Sequence, residues 1–472
     1  MSFVEQVDDI PAADALGRVH FVGVGGAGMS GIARIMLARG MDVSGCDAKE
    51  SRGLAALRAL GAVIEIGHSA DHVREVDTVV TSSAIRPTNP DLAEAQRLHR
   101  RVLPRAAALA SLMAGRRGLA IAGTAGKTTT TSMVTVALQA CGRDPSYAIG
   151  GDLNEPGSNA HAGSGEFFVA EADESDRSFL LLAPEAAIVT NVEPDHLDNY
   201  GRAEAVTEAF EDFLGRIAAG GTVVLGADDA GSRALVAPAT ARGLTAVTFG
   251  LADDADVHIE DLILAGQGSR FVLVAGGRRL GDVSLQVPGV HNAVNAAGAL
   301  ALGLGLGLPF ADMARGLAEF TGARRRFEYK GEVAGVRVFD DYAHHPTKVR
   351  AALAAAREVA GTGRVLVVFQ PHLFSRTQHF AADFGAALAA ADEVVVMDVY
   401  AAREDPVPGV TGALVADAID LPADRVVFEP SWSAVPDLVA GRTRVGDLVL
   451  TVGAGDVTML GPQILLALER AR

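Results

Sequence analysis

The sequence predicts an α/β protein of three domains, and three observations lead to that prediction. The length of 472 residues corresponds to about three domains of ordinary size. Short apolar segments typical of buried strands alternate with segments of helical apolar spacing along most of the chain. Glycine-rich turns follow apolar segments at 23–28, 123–126 and 453–456. We therefore expect mostly parallel sheets covered by helices, in domains spanning 1–112, 113–323 and 324–472.

Composition and charge narrow the class of protein. Hydrophobic residues make up 49% of the chain and charged residues 21%, which is enough to build large cores. The formal net charge of −17 argues against a nucleic-acid partner and against an anionic membrane surface. The N-terminus lacks a signal-peptide core, and the longest apolar run, 296–310, is shorter than the ~20 residues of a membrane helix. We expect a cytoplasmic protein, either a monomer or a homodimer.

The chain contains two cysteines, Cys46 and Cys141. Two cysteines provide neither a disulfide framework nor a zinc cluster of the cysteine-rich kind. This count suits a reducing compartment.

The first domain opens with a short apolar strand and a glycine-rich turn. Residues 19–22 have the composition of a buried strand, and a helical pattern follows the turn. Gly23, Gly25 and Gly28 fit the dinucleotide-binding fingerprint, and Asp47 lies about 20 residues further on, where such sites place a ribose-binding acid. The diphosphate of a nucleotide sugar fits this turn as well as a dinucleotide does. We expect a Rossmann-like parallel sheet that binds a diphosphate.

The second domain begins with a predicted triphosphate loop. An apolar strand at 118–122 leads into Gly123, Thr124, Ala125, Gly126, Lys127, Thr128 and Thr129, and a helical pattern continues from there. Glycines let backbone N–H groups converge on phosphate oxygens, and the N-terminus of the helix adds positive dipole. Lys127 is expected to reach the β- and γ-phosphates, and the Thr128 hydroxyl to ligate Mg²⁺. The eight-residue P-loop pattern has glycine where Ile121 stands, so this loop is a shorter variant.

Acidic residues follow two further apolar strands of the second domain. Strands at 167–170 and 187–190 lead into one cluster each: Glu171, Asp173 and Glu174, then Asp195, His196 and Asp198. Ligands of open α/β sheets bind at the carboxyl ends of strands, so both clusters should face the phosphate loop. Carboxylates are the expected partners of Mg²⁺ beside phosphates. His196 could be a metal ligand or a solvated turn residue, and the sequence leaves both open. An antiparallel β region is predicted over 270–287, followed by a helix from about Asn292.

The third domain repeats the α/β alternation. Apolar strands are predicted at 336–339, 365–369, 393–397 and 448–452, which indicates a second Rossmann-like sheet. The basic run 324–326 precedes them at a domain junction and is suited to clamping a phosphate. His344 and His345 follow the first of these strands and precede a helix, which favours a site role.

The combination of motifs resembles the Mur ligases of bacterial cell-wall synthesis. The residues that carry the resemblance extend through the whole chain: 20–30 (HFVGVGGAGMS), 123–130, 171–180 (EADESDRSFL), 191–200 (NVEPDHLDNY), 288–295 (PGVHNAVN), 325–327, 340–346 (DDYAHHP), 369–372 with 375–377, 398–402 (DVYAA) and 453–456. Within the family the chain is most similar to the alanine-adding members.

The resemblance implies an ATP-dependent amide ligase that joins L-alanine to the carboxylate of UDP-N-acetylmuramate through an acyl phosphate. It implies that Lys127 holds the β- and γ-phosphates, that Thr128 and Glu171 ligate one Mg²⁺, and that His196 ligates a second. Asn292 and Asn295 would meet the adenine, and Arg326 the nucleotide phosphates. His344 and Arg376 would face the amino acid. The UDP substrate would be bound by Gly25, Gly26, Ala27, Gly28, Met29 and Ser30, with Asp47 and Ser82. The catalytic residues implied are Lys127, His196, Arg326 and His344.

Two residues depart from the family pattern. Ala125 stands where relatives usually have His or Asn, which removes a side-chain donor from the phosphate loop. Leu373 stands where relatives often have a basic residue, so Arg376 would be the main cation for the alanine carboxylate. Three alternatives stay open at this point: a murein-peptide or other Mur ligase, an NAD-dependent oxidoreductase, and a catalytically silent nucleotide-binding regulator.

Overall fold

A computed structural model describes residues 10–82, 84–150, 159–266, 268–402 and 404–471; the side chains of Arg52 and Asp198 are not described. Residues 1–9, the N-terminal stretch that lacks a signal-peptide core, lie outside these residues. The described strands form three sheets of five, ten and six strands. The predicted α/β class, with three sheets in chain order, is confirmed.

The first sheet is parallel and has the strand order β3-β2-β1-β4-β5. Its strands are β1 (Val19–Val22), β2 (Val43–Asp47), β3 (Val63–Ile66), β4 (Thr78–Thr81) and β5 (Arg101–Pro104). The helices of this region are α1 (Ala27–Ala38), α2 (Arg52–Ala59), α3 (Pro90–Arg97) and α4 (Arg105–Met113). Strands β1 and β4 are buried along their whole length, as expected of central strands covered by helices on both faces.

The second sheet has the order β15-β14-β13-β12-β11-β10-β6-β9-β7-β8. Its strands are β6 (Arg117–Ala122), β7 (Ser146–Ala148), β8 (Ala160–His161), β9 (Phe167–Glu171), β10 (Ala186–Val189), β11 (Thr222–Gly226), β12 (Thr245–Gly250), β13 (Val257–Ala265), β14 (Gly268–Ala275) and β15 (Arg278–Leu285). The helices are α5 (Lys127–Ala140), α6 (Leu197–Tyr200), α7 (Ala203–Leu214), α8 (Ala230–Ala234), α9 (Val236–Ala241), α10 (Val290–Gly305) and α11 (Phe310–Ala318). Strand β6 pairs in parallel with both β9 and β10, so the three strands end at one edge.

The third sheet has the order β16-β17-β21-β18-β19-β20, and β16 pairs antiparallel with β17 while the other pairs are parallel. Its strands are β16 (Glu328–Val333), β17 (Val336–Asp341), β18 (Val365–Phe369), β19 (Glu393–Val396), β20 (Val426–Phe428) and β21 (Leu448–Val452). The helices are α12 (Pro346–Ala360), α13 (Phe374–Leu388), α14 (Ala413–Ala416), α15 (Val435–Arg442) and α16 (Leu460–Arg470).

The chain divides into two compact units. The first lies within Met1–Glu260, Val272–Val283 and Val294–Phe320, and the second within Asp261–Phe271, Ser284–Ala293 and Thr321–Arg472. The first unit holds the first sheet and most of the second, with one continuous apolar cluster that includes Phe21, Phe168 and Phe210. The second unit holds the third sheet, whose two faces pack separate apolar clusters. No helix among the described residues is both long and apolar enough to cross a bilayer.

Candidate active site

The phosphate loop of the first unit connects β6 to α5. All of β6 after its first residue is buried. Gly123 and Gly126 adopt φ values of 132° and 85°, which glycine reaches without strain. A Cβ on Gly123 would collide with the Thr190 side chain, and one on Gly126 would lie 2.7 Å from Oδ1 of Asn295. The close approach of neighbouring side chains therefore requires both glycines.

The end of β10 holds the phosphate loop in place. The backbone N–H of Ala125 donates to Oδ1 of Asn191 at 2.8 Å, and its carbonyl accepts from Nδ2 of Asn191 at 3.1 Å and from Oγ1 of Thr190 at 2.5 Å. The Thr124 hydroxyl accepts from the backbone N–H of Glu193 at 2.9 Å. Sequence analysis assigned no role to Thr190 or Asn191; their position directly after a buried strand was the available signal.

Lys127 forms a buried ion pair with Glu174 at the start of α5. Its Nζ lies 2.6 Å from Oε2 of Glu174, and it also donates to the Gly123 carbonyl at 2.6 Å. The side chains are 13% and 2% exposed. Burial opposes the charge on Lys127, but Glu174, Asp173 and Glu171 outweigh it and hold the pKa of Lys127 above its ordinary value. The lysine is therefore a permanent cation at the centre of the loop.

Thr128 and Glu171 lie together next to this ion pair. The Thr128 hydroxyl donates to Oε1 of Glu171 at 3.0 Å, and Oε2 of the same carboxylate accepts from the backbone N–H of Gly150 at 2.7 Å. A hydroxyl and a carboxylate present oxygen atoms only, the ligand type that Mg²⁺ prefers. The structure thus brings together the two residues predicted to hold this ion.

His196 lies beside Glu174 in a left-handed backbone conformation, with φ of 54°. Its Nε2 is 3.8 Å from Oε1 of Glu174 and 3.6 Å from Oδ2 of Asp195. The imidazole is 16% exposed, so it is not the solvated turn residue that sequence analysis left as one possibility. The side chain of Asp198, predicted in the same cluster, lies outside the described part of the chain.

Arg105 connects the first sheet to the acids that follow β9. Its Nη2 lies 3.1 Å from Oδ2 of Asp173, and a Cβ on Gly28 would lie 2.8 Å from its Nη1. Burial by itself would raise the pKa of Asp173, but Arg105 and Lys127 lower it to about 2. Sequence analysis missed Arg105, because an arginine at the start of a helix has no signature that distinguishes it from a surface residue.

The glycine turn of the first sheet lies between β1 and α1. The backbone N–H of Gly25 donates to Oδ2 of Asp47 at 2.8 Å, so Asp47 fixes the turn. The carbonyl of Ala27 accepts from the Ser30 hydroxyl at 3.1 Å and from Nδ2 of Asn159 at 2.5 Å. The remaining residues predicted here occupy the turn, the first turn of α1, and the position directly after β4: Gly26, Gly28, Met29 and Ser82.

The other predicted site residues belong to the second unit, except Asn295. Arg326 lies with its guanidinium carbon 5.1 Å from the ring centre of Tyr342. His344 contacts the Tyr342 carbonyl through Nδ1 at 2.9 Å, and its ring centre is 6.2 Å from that of His372. Arg376, in α13, is 8% exposed. Asn292 donates from Nδ2 to the Pro288 carbonyl at 2.6 Å near the start of α10.

Asp341 is expected to make the stability of the protein fall as the pH rises. Burial raises its pKa from 3.8 to about 6, against the attraction of Arg326. Between these values the folded protein binds more protons than the unfolded chain, so its free energy of unfolding decreases with pH. The decrease is on the order of 3 kcal/mol, from about 1.4 kcal/mol per pKa unit. Thermal unfolding midpoints of the Asp341→Asn variant should depend less on pH over this interval than those of the parent; equal slopes would contradict the assignment.

Three family models match successive parts of the chain. They describe a "Mur ligase family, catalytic domain" at residues 18–117, a "Mur ligase middle domain" at 121–303, and a "Mur ligase, glutamate ligase domain" at 325–455. The chain belongs to the Mur ligase family. The three matches together cover the phosphate loop, the acids after β9 and β10, and all strands of the third sheet.

Two relatives of nearly full length share one name. UDP-N-acetylmuramate–L-alanine ligase of Acidothermus cellulolyticus is 60% identical and covers 97% of this chain and 96% of its own. The enzyme of the same name from Saccharopolyspora erythraea is 57% identical, covering 98% and 96%. A crystal structure of UDP-N-acetylmuramate-alanine ligase from Thermotoga maritima superposes with a TM-score of 0.80 at 30% identity, covering 96% of this chain and 100% of that one.

Proposed function

We propose that this Mur ligase joins L-alanine to the carboxylate of UDP-N-acetylmuramate, with hydrolysis of ATP, in peptidoglycan precursor synthesis. The observation that carries the proposal is the 60% identity, over 97% of the chain, to a relative of that name. The geometry of the phosphate loop is consistent with it, since a buried lysine, a hydroxyl and a carboxylate meet where a triphosphate and its cation would bind.

The chemistry explains why ATP is required. A carboxylate is a poor electrophile, so its oxygen first takes the γ-phosphoryl group to give an acyl phosphate and ADP. The amine of the amino acid then attacks the acyl carbon, and phosphate leaves from the tetrahedral intermediate. The protein mainly positions the reactants and neutralises charge. Lys127 suits this role because it stays positively charged although it is buried.

The loop residues fit the binding of ATP with Mg²⁺. Lys127 would exchange its contact with Glu174 for phosphate oxygens, while Thr128 and Glu171 would hold one Mg²⁺ and His196 a second. The metal would supply positive charge against the phosphates when bound. The backbone N–H groups of Gly126 and its neighbours in the loop, 123–129, would orient the triphosphate.

The remaining site residues are each assigned to one part of the three substrates. The turn at 25–30, fixed by Asp47 and flanked by Ser82, would bind the UDP diphosphate. Asn292 and Asn295 would contact adenine, Arg326 the phosphates, and His344 and Arg376 the amino acid. We also propose the boundaries 1–112, 113–323 and 324–472 for the substrate-binding, ATP-binding and amino-acid-binding domains. Such an enzyme would act in the cytoplasm, where ATP and nucleotide sugars are available, as a monomer or a homodimer.

The alternatives are not favoured. A murein-peptide ligase from Psychrobacter arcticus superposes with a TM-score of 0.71, but its 23% identity supports the fold alone. An NAD-dependent oxidoreductase does not account for a chain matched by Mur ligase models in all three parts.

Phosphate release measured with ATP, Mg²⁺ and UDP-N-acetylmuramate tests the proposal one amino acid at a time. We expect release with L-alanine and formation of the amide product, and little release with an L-alanyl peptide. Preference for a peptide would indicate a murein-peptide ligase. Tight binding of NAD(H) without ATP turnover would exclude a ligase altogether.

Substitution of Glu171 tests the metal assignment. We expect Glu171→Gln to raise the Mg²⁺ concentration needed for half-maximal activity by tenfold or more, because one charged oxygen ligand is lost. The substitution keeps the shape of the side chain and an acceptor for the Gly150 N–H. Glu166→Gln, at a partly exposed acid in the same sheet region, is the matched control. An equal Mg²⁺ dependence in both variants would remove Glu171 from the metal site.

A further inference from the structure

A cluster of five polar side chains, three buried and two partly buried, lies near the glycine turn of the first sheet. It consists of His20 in β1, Cys46 in β2, His68 after β3, His72 in a 3-10 turn, and Asp91 in α3. His20, Cys46 and Asp91 are 2%, 0% and 0% exposed. Four different segments of the chain thus bring nitrogen, sulfur and oxygen donors to one point, away from the phosphate loop chemistry.

The donor atoms have nearly the spacing of a tetrahedral metal site. Nε2 of His20 lies 3.4 Å from Sγ of Cys46 and 3.8 Å from Oδ1 of Asp91, and Nδ1 of His72 lies 2.7 Å from Oδ1 of Asp91. These atoms are all within 4.8 Å of one another, and among the described residues this is the one group with such a geometry. Ligands around zinc lie about 3.3–3.8 Å apart, given bonds of about 2.0–2.3 Å. The short contact between His72 and Asp91 would have to open, and any pair near the 4.8 Å limit would have to close, so binding requires small side-chain movements.

A further residue orients the His20 imidazole. Its Nδ1 lies 2.9 Å from the Ser44 hydroxyl, which in turn donates to the Val19 carbonyl at 3.5 Å. With Nδ1 donating to Ser44, the lone pair of Nε2 is directed at Cys46 and Asp91. Metal-binding histidines are usually held in this way, by a hydrogen bond from the nitrogen that does not bind the ion.

We propose that this cluster binds one Zn²⁺ through Nε2 of His20, Sγ of Cys46, Nδ1 of His72 and a carboxylate oxygen of Asp91. Nδ1 of His68 lies 3.3 Å from Sγ of Cys46 and 3.1 Å from Oδ2 of Asp91, so it supplies a hydrogen bond or an alternative ligand. One thiolate and two imidazoles select a borderline-soft ion over Mg²⁺, which prefers oxygen. The site is therefore separate in place and in chemistry from the proposed Mg²⁺ site.

The protonation of the cluster agrees with this proposal. Burial lowers the pKa of His20 to about 4, although Asp91 opposes the shift, so the imidazole is neutral and able to bind a metal. Burial and Asp91 raise the pKa of Cys46, so the metal-free protein carries a thiol. Binding of Zn²⁺ would release that proton.

The cluster is coupled to the glycine turn through Cys46. Its carbonyl accepts from the backbone N–H groups of Gly23 and Val24 at 2.8 and 3.1 Å. An ion on the sulfur would restrain the segment of β2 that carries both this carbonyl and Asp47, which fixes Gly25. Zinc at this site is thus expected to stiffen the turn proposed to bind the UDP diphosphate. Sequence analysis considered only a cysteine-rich zinc cluster, and three of the four proposed ligands are not cysteine.

Cobalt provides a direct test on the full-length protein. The Cys141→Ser variant, freed of metal with a chelator, keeps Cys46 as its sole thiol. Titration with Co²⁺ should give a thiolate-to-cobalt charge-transfer band and the visible bands of a tetrahedral ion, saturating at one ion per chain. Addition of one equivalent of Zn²⁺ should remove both. Absence of the charge-transfer band in this variant would overturn the proposal, and no cluster residue has to be changed to see it.

A comparison of zinc affinities among variants, measured by competition with a chromophoric chelator, shows whether the ion binds at this cluster. Ser44→Ala removes the support of His20 and should weaken binding by about 10–100-fold, as such changes typically do. Cys46→Ala should weaken it further, whereas Cys141→Ser should bind like the parent. Equal affinity in all four proteins would show that the ion binds elsewhere. Because these readouts require neither ATP nor ligation, they are independent of the proposed enzyme activity.

Discussion

Replacement of Lys127 by alanine is expected to reduce ligation by on the order of 10³-fold or more, while UDP-N-acetylmuramate still binds. The lysine is the one charged side chain of the loop 123–129, and a single preorganised donor at developing charge typically contributes on the order of 10²–10³ in rate. The glycine turn at 25–30 belongs to a different sheet and should be unaffected. Single-turnover phosphate release and calorimetry with the UDP substrate measure the two effects.

The ion pair with Glu174 makes a second variant necessary. Removing Lys127 deprives a carboxylate that is 2% exposed of its cation, which typically costs about 3–5 kcal/mol of stability. The double variant Lys127→Ala with Glu174→Gln should recover much of that stability without recovering ligation. If the UDP substrate bound poorly to the stable double variant, the assignment of separate binding regions would be wrong.

Introduction of histidine at Ala125 is expected to raise kcat about tenfold with little change in the KM for ATP. We propose that the loop binds phosphate through backbone N–H groups and Lys127, whereas position 125 offers no side-chain donor for charge that develops during transfer. Removal of such a donor from an evolved site costs on the order of 10²–10³, so a smaller gain is reasonable for one added without its neighbours. Ala125 is partly exposed, and its backbone contacts with Thr190 and Asn191 do not involve its side chain.

Two further variants sharpen this experiment. Ala125→Leu tests whether added bulk alone changes the rate, and Ala125→Asn offers a neutral donor of similar reach. We expect a gain with His and Asn and none with Leu. An unchanged kcat in all three variants would show that the position has no role in phosphoryl transfer in this protein.

The sequence predicted the phosphate loop from residues that lie close together along the chain, and it predicted Glu171 and His196 near the loop from the rule that ligands bind at the carboxyl ends of strands. A buried strand, a glycine turn and a helix start locate Lys127 and Thr128, because local geometry alone brings these residues to one loop. Arg105 and Asn191 were not found, since the contact of Arg105 depends on the position of α4 beside the acids that follow β9, and that of Asn191 on which strands are neighbours in the second sheet. The pairing of β6 with both β9 and β10 brings Glu171 and Asn191 to the loop, and no local pattern specifies that order.

The proposed zinc cluster is a stronger example of contacts that no local sequence pattern specifies. His20, Cys46 and Asp91 are separated by whole strands and helices in the sequence. His20 and Cys46 meet because β1 pairs with β2, and Asp91 reaches them from helix α3, which follows β4 in the chain. Each residue has an ordinary explanation when it is considered alone. The pairing of two strands and the position of one helix together make them one chemical unit.

The position of Arg105 has a consequence for the order in which ligands bind. One guanidinium lies against the turn at Gly28 and also pairs with Asp173, next to the acids of the phosphate loop. A diphosphate bound at the turn would attract the Arg105 guanidinium and weaken its ion pair with Asp173. Conversely, a ligand that changed the charge around Asp173 would change how strongly Arg105 attracts the diphosphate. Thermodynamic linkage requires the two effects to be equal, so ATP and the UDP substrate should change each other's affinity by the same factor. In the Arg105→Met variant this factor should approach one, so that each ligand binds with nearly the same affinity whether or not the other is present.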